Sequence, residues 1–413
     1  MRMRPFGRLL PHPRALRSLL DQIVPIERRE LVPVTHAVGR VVSRTYRAQV
    51  AVPPFPRATW DGYALRASAT SRAGPAHPTR LSIVGEVYAE GGYRGRVGPG
   101  EAVAIATGGA LPDGTDAVVR FEEVVVSGAR LEIRAPVHPR DRIAERGEDL
   151  AKGSTVVTSG RVLGPADLGA LSLTGTSNVS VWARPVVSIL PNGNELRLPG
   201  RRLGPGEIYE SNNATLSAVV EASGATARPV PPVPDRADRI ESAIRRSLAR
   251  SDLVLVTGGS SVGERDFLPT VFPRLGRLLF HGIAIRPGKP TLAAAVGRKL
   301  VIGMPGHPTS CLSNGYWLLL PVLRKLSRQP GPGWEPVEVR LREGAGLPTS
   351  DLATVIPLQV TGRSARPTFR DSSAISSLGD ANAFAIWPAG KEPPGRGDTI
   401  TALRLLLSVG SAA

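Results

Sequence analysis

The chain has 413 residues, 41% hydrophobic and 21% charged, with 52 Lys and Arg against 35 Asp and Glu. That length exceeds one ordinary core and the composition is globular, which argues for several folded domains and against a disordered scaffold. A single cysteine, Cys311, excludes an internal disulfide and any multi-cysteine metal site. No apolar run approaches the roughly 18 residues that span a bilayer, and the amino-terminal stretch lacks a continuous apolar run of signal-peptide type. No membrane partner and a cytoplasmic location are therefore expected. The net charge of +17 favours anions. Only five of the basic residues are lysines (152, 289, 299, 325 and 391), and they and the arginines are scattered without interleaved aromatics. Nucleic acid is therefore not the expected partner.

In chain order, 15–23 has the spacing of an amphipathic helix, with a second helical piece before Val42. Short β-branched runs starting at Leu81, Ala102, Ala117 and Leu131, broken by Gly and Pro, predict a β-rich domain over 50–142. Pro165 suits the first turn of a helix reaching Thr174. From 184 to 328, apolar strands at Pro185, Leu253 and Leu300 alternate with helical stretches. Ser211-Asn-Asn is expected to cap one helix, closed by Ser223-Gly224, and Asp235 the next. This alternation predicts a doubly wound parallel sheet. Beyond Pro336 the texture is β again, near 337–341, 355–360, 383–387 and 399–406. The fold class is thus multidomain α/β and β. The expected domains are 1–49 with 143–183 (helical and linker), 50–142 (β-rich insertion), 184–328 (α/β) and 329–413 (β-barrel-like).

Ligands of open α/β sheets sit beyond the carboxyl ends of the strands. Three glycine loops follow strands there: Asn192-Gly-Asn-Glu195, Thr257-Gly-Gly-Ser-Ser-Val-Gly263 and Pro305-Gly-His-Pro-Thr-Ser310. Any one of them can be merely a tight turn. Together they read as a shared phosphate site, with glycines letting backbone N–H groups approach an anion. A carboxylate beside such a cradle is repelled unless Mg²⁺ lies between, so Asp266 is a candidate metal ligand and Glu195 a second. Asp266 also reads as a helix N-cap. Arg286-Pro-Gly-Lys289-Pro290 presents two cations on a rigid turn suited to a tetrahedral oxyanion, against the plainer reading of a solvated loop. Ser310 adds a hydroxyl at a helix start. On physical grounds alone, Asp61-Gly62 and the stretch from Thr107 to Arg120 read as polar turns.

These residues resemble the molybdopterin molybdenumtransferase family, the relatives of bacterial MoeA and of the gephyrin E domain. The segment from Val52 to Ala64 is similar to the family's proline-rich approach to Met-Asp-Gly-Tyr-Ala, with Trp60 for the methionine. Ile105-Ala-Thr-Gly108 through Asp116-Ala-Val-Val119, Arg146-Gly-Glu-Asp149, Asn192-Gly-Asn-Glu-Leu196, Glu207-Ile-Tyr-Glu-Ser-Asn212 and 257–266 follow in the family's order.

The resemblance implies a molybdopterin-binding α/β domain in a four-part homodimer that inserts molybdate or tungstate into adenylylated molybdopterin with Mg²⁺ present and AMP released. It also implies contact with the adenylyltransferase of the same pathway. Carried over, Asp61, Glu195 and Asp266 are metal- or substrate-contacting carboxylates. Asp61, Asp266 and Lys289 form the catalytic set, with Asp61 serving the site of the partner subunit. Thr107, Gly258, Gly259, Ser260, Ser261 and Gly263 join Glu195 in holding substrate, with Arg286, Pro290, Ser310 and Ser372 around the oxyanion. Three positions depart from the pattern. Arg286 replaces a lysine, Asn194 replaces an aspartate, and 350–357 lacks the family's arginine. The missing arginine and Asn194 leave a non-catalytic pterin-nucleotide-binding paralogue or scaffold as the alternative.

Overall fold

The computed structural model describes residues 7–261, 266–369 and 374–406. They fall into two units, Leu31–Val181 and the rest of the chain, Met1–Glu30 with Trp182–Ala413. The 1–49 grouping expected from sequence therefore divides at residue 30.

The α/β part carries β1 (Val186–Pro191), α1 (Asn212–Ala222), β2 (Thr226–Pro229), α2 (Ala237–Leu248), β3 (Leu253–Thr257), α3 (Leu268–Leu275), β4 (Arg277–His281), β5 (Leu292–Val296), β6 (Lys299–Met304) and α4 (Pro308–Asn314). Its sheet runs β2-β1-β3-β6-β5-β4. The first four strands pair in parallel, and β5 runs antiparallel to both its neighbours, β6 and β4. Every residue of β3 is buried, because helices cover both faces of a parallel sheet. The alternation is exact to the residue. Leu253 and Leu255 enter one core with Val187, Ile189, Leu300 and Ile302. Val254 and Val256 enter the opposite core with Leu190 and Val301. The first helix of the chain, His12–Gln22, places Ala15 and Leu19 in the former core. The second helical piece expected before Val42 is instead a strand, Arg29–Pro33, and one 3₁₀ turn, Val34–His36.

The carboxyl-terminal strands close a ring. Ala353–Thr361 pairs with Ser364–Pro367, then Trp334–Leu341, Thr399–Leu405 and Ala383–Trp387, which returns to Ala353–Thr361. Closure of this kind leaves few unpaired edges. Ile285–Arg286 adds to it as a short parallel strand beside Ala353–Thr361.

The Leu31–Val181 unit holds a six-stranded sheet ordered Ala117–Arg120, Gly62–Leu65, Glu101–Ile105, Thr79–Val87, Arg130–Ile133, Val124–Ser127. Asp61-Gly62 is not a simple turn. Gly62 begins a strand with two neighbours, and a Cβ there would lie 1.9 Å from the Val119 carbonyl oxygen. Only glycine permits that approach.

Candidate active site

At the carboxyl edge of the parallel sheet, the loops after β1, β3 and β6 touch one another. The Gly258 N–H donates to the Met304 carbonyl (3.2 Å), the Ser260 hydroxyl to the same oxygen (3.3 Å), and the Asn192 N–H to the Thr257 carbonyl (2.8 Å). Asn212, at the start of α1, donates its side-chain N–H to the Gly306 carbonyl at 2.9 Å. Gly258 and Gly259 have φ of +86° and +60°, and Cβ atoms there would meet the Asn192 carbonyl oxygen at 2.4 Å and its Oδ1 at 2.5 Å. The glycines are therefore demanded by both backbone conformation and space. Among the described residues, Asn192 Oδ1, Asn212 Oδ1 and Thr309 Oγ1 are buried near these loops without a protein partner. Buried polar atoms are normally paired, so these await a ligand or water. Gly263 lies outside the described residues.

Two expected caps are replaced. Asp235 does not cap α2, whose N-cap is Arg236. Its carboxylate instead accepts the Asn194 N–H, while the Asn194 side-chain oxygen accepts the Asp235 N–H, both at 3.1 Å. Asn194 thus braces the first loop against the approach to α2, and its neutrality spares two carboxylates in contact. At α1 the capping side chain is Glu210, whose carboxylate accepts the Asn213 N–H at 2.9 Å, rather than Ser211. Burial pushes the Glu210 carboxyl upward, against the opposing pull of these helix N–H groups. The N-cap position of α3 is Phe267, one residue beyond Asp266.

The 286–291 turn is built from inside rather than solvated. Gly288 has φ +114°, and its carbonyl accepts from the Asn314 side chain (3.1 Å) and the Thr291 hydroxyl (2.7 Å). Asn314 also donates to Thr291 Oγ1 (2.7 Å) and accepts from Trp317 Nε1 (2.8 Å). The Lys289 carbonyl accepts from Ile283 and Thr291 N–H. Asn314 is wholly buried on α4 one turn beyond Ser310, so one helix face carries both the clamp and the hydroxyl. Sequence reasoning missed Asn314; its only signal is a lone amide entering the apolar run that follows. Arg286 is partly committed. Its Nε donates to Thr354 Oγ1 (3.0 Å) and an Nη to the Pro348 carbonyl (2.5 Å), tying the turn to the barrel. Ser372 lies outside the described residues.

Asp61 and Thr107 belong to the other unit. The Thr107 N–H donates to Asp61 Oδ1 at 2.6 Å, and that bond holds the exposed carboxyl below its ordinary range. Glu195 curls over its own loop, where a Cβ on Gly193 would meet its oxygen at 2.6 Å. Among the described residues no three His, Cys, Asp or Glu side chains gather into a metal cage. Hard carboxylates flanking a phosphate loop still suit Mg²⁺, which takes one or two protein carboxylates and completes its shell with substrate and water. Charge is placed for an anion: 182–328 holds 20 Lys and Arg against 10 Asp and Glu, whereas 329–413 holds eight of each.

A parallel sheet edge with conjoined glycine loops is where open α/β folds place their ligand. The comparisons with known proteins narrow that class. Residues 10–175 match the MoeA N-terminal region (domain I and II), and 188–325 a probable molybdopterin binding domain. A molybdopterin molybdenumtransferase of Bacillus subtilis is 32% identical over 92% of this chain and 91% of its own. That of Synechococcus elongatus is 29% identical over 93% and 96%. The crystal structure of a molybdopterin biosynthesis MoeA protein from Pyrococcus horikosii superposes with TM-score 0.83 at 33% identity, covering 97% of this chain and 99% of that one. The chain belongs to the molybdopterin molybdenumtransferase family and is an enzyme of molybdenum cofactor biosynthesis.

Proposed function

We propose that the chain joins molybdate or tungstate to adenylylated molybdopterin, releasing AMP in a Mg²⁺-dependent reaction. The observation that carries this reading is the convergence of three glycine loops beside the clamped Lys289 turn on one α/β domain. The 258–261 loop, continuing to Gly263, receives the substrate phosphates on backbone N–H groups, and Asn192 and Asn212 accept N–H or O–H donors from the ligand. Glu195 and Asp266 would hold Mg²⁺, which when bound neutralises charge developing on the phosphoanhydride. Lys289 holds the incoming oxyanion as a compact point charge, with Pro290, Ser310, Ser372 and the remaining Arg286 donors around it. Thr107 fixes Asp61 in its ionised form. A homodimer in the cytoplasm, with Asp61 serving the partner's site and the adenylyltransferase as upstream partner, completes the reading; sedimentation tests the dimer.

Lys289→Ala provides the test. The half-saturating molybdate concentration should rise more than tenfold, with adenylylated molybdopterin still bound. An unchanged molybdate dependence removes Lys289 from the oxyanion. The paralogue reading rests on Arg286 being diverted to Thr354 and Pro348. Substrate binding without turnover would select it.

A further inference from the structure

The Lys289 turn rests on a segment from near the amino end of the chain. Pro11 biases Leu10 to extended backbone, and Leu10 lies beside Ile283 as a single parallel bridge. The Leu10 N–H donates to the Gly282 carbonyl (3.1 Å), and the Leu10 carbonyl accepts the Ala284 N–H (2.9 Å). Residues 282–284 pass that support on. The Ile283 N–H donates to the Lys289 carbonyl (3.0 Å), and the Gly282 N–H to the Thr291 carbonyl (2.8 Å). Ile283 and Thr291 are wholly buried, so water cannot readily replace these bonds.

A second route reaches the same turn through side chains. His12, half-buried at the start of the first helix, stands edge-on to Trp317, with ring centres 6.0 Å apart and planes at 87°. That is a favoured geometry for an aromatic pair. Burial holds the His12 imidazole below its ordinary 6.5, so near neutral pH it packs as an uncharged ring. Trp317 in turn donates its Nε1–H to Asn314, the residue that clamps Gly288. Trp317 sits in the middle of a π-turn, Gly315–Leu319, where the Leu320 N–H bonds to the Gly315 carbonyl five residues back. Pro321 accounts for that widening: it has no N–H for the Trp317 carbonyl, and its ring would clash with that oxygen in a regular helix. Such turns are rare in helices and recur at functional sites. Two routes that start two residues apart, at Leu10 and His12, thus converge on one turn, 286–291.

We propose that His12 and Trp317, with the backbone of Leu10, are positioning residues for the oxyanion: from behind the turn they fix where the Lys289 ammonium stands, without touching substrate. The inference rests on the reading of Lys289 as the oxyanion's cation.

Full-length His12→Ala, His12→Phe and Trp317→Phe proteins, with Lys289→Ala alongside, test it in two measurements. One is AMP release against molybdate concentration, and the other is amide hydrogen exchange over 280–292. His12→Ala and Trp317→Phe should raise half-saturating molybdate about threefold to tenfold, with kcat changed less than about twofold. Both should speed exchange at 282–291 and leave β3 unchanged. His12→Phe, which restores a ring against Trp317, should stay within about twofold of wild type. A lower melting temperature with unchanged molybdate dependence would make the contacts merely structural and overturn the inference. So would unchanged exchange at 282–291, or equal losses from Ala and Phe at position 12. If Lys289→Ala raises half-saturating molybdate and His12→Ala does not, the inference falls and the reading of Lys289 stands. If Lys289→Ala itself changes nothing, that reading falls, and faster exchange in His12→Ala then marks a structural brace only, overturning both.

Discussion

Replacing Asn314 tests the clamp that shapes the Lys289 turn. Asn314→Leu keeps the side chain's approximate volume and removes four hydrogen-bonding capacities at a wholly buried position. Gly288's carbonyl retains the Thr291 hydroxyl, so the main orphan is Trp317 Nε1, on a residue 1% exposed whose acceptor is Asn314. An orphaned buried donor costs about 1–3 kcal/mol and two further lost bonds about 1 kcal/mol in all, giving roughly 2–4 kcal/mol. In a domain of this size that lowers Tm by about 5–12 °C. The turn loosens with it, so half-saturating molybdate should rise more steeply than kcat falls. Differential scanning calorimetry and an AMP-release assay read the two effects. A melting temperature within about 2 °C of wild type would refute the clamp, because three buried hydrogen bonds cannot vanish that cheaply.

Gly258→Ala should abolish turnover and lower Tm, since the new methyl meets the Asn192 carbonyl oxygen at 2.4 Å with φ at +86°; full activity would show that the loop relaxes freely. Glu210 supplies a pH test. Its folded carboxyl titrates above the ordinary 4.5 because it is buried, so its contribution to stability is present below that value and is lost as pH rises through the folded one. Glu210→Gln keeps an acceptor for Asn213 and should melt at or above wild type at pH 8, with its advantage shrinking towards pH 4.5; a variant several degrees less stable at pH 8 contradicts this. Burial also pushes the Cys311 thiol up. It should resist a disulfide exchange reagent in the native protein and react at the rate of unfolding; prompt labelling would mean α4 opens locally.

Much of the α/β domain is legible in sequence because buried parallel strands write continuous apolar runs ending in glycine, as Leu253–Thr257 does. Leu292–Val296 escaped notice because Leu-Ala-Ala-Ala-Val carries no alternation, and Arg277–His281 because its bulge breaks the period. The caps failed for a different reason. Ser211 and Asp235 have the right side chains, but Glu210, one residue earlier, takes the first turn of α1, and Asp235 is diverted to the Asn194 N–H, 41 positions away in sequence. Asp61-Gly62 looks like a turn until its neighbour strands are known. Gly62 is required by the Val119 carbonyl, 57 residues away in sequence. The partners of Arg286 lie 62 and 68 positions distant, so its attachment to the barrel could be found only in three dimensions.

The central claim is that oxyanion insertion and AMP release are one reaction on this chain. Single-turnover incubation of the purified protein with adenylylated molybdopterin, Mg²⁺ and molybdate, with AMP and pterin-bound molybdenum quantified together, tests it most directly. The account predicts that both appear in equal amounts and that neither appears when Mg²⁺ is chelated. No AMP with either molybdate or tungstate, while the substrate remains bound, would contradict it.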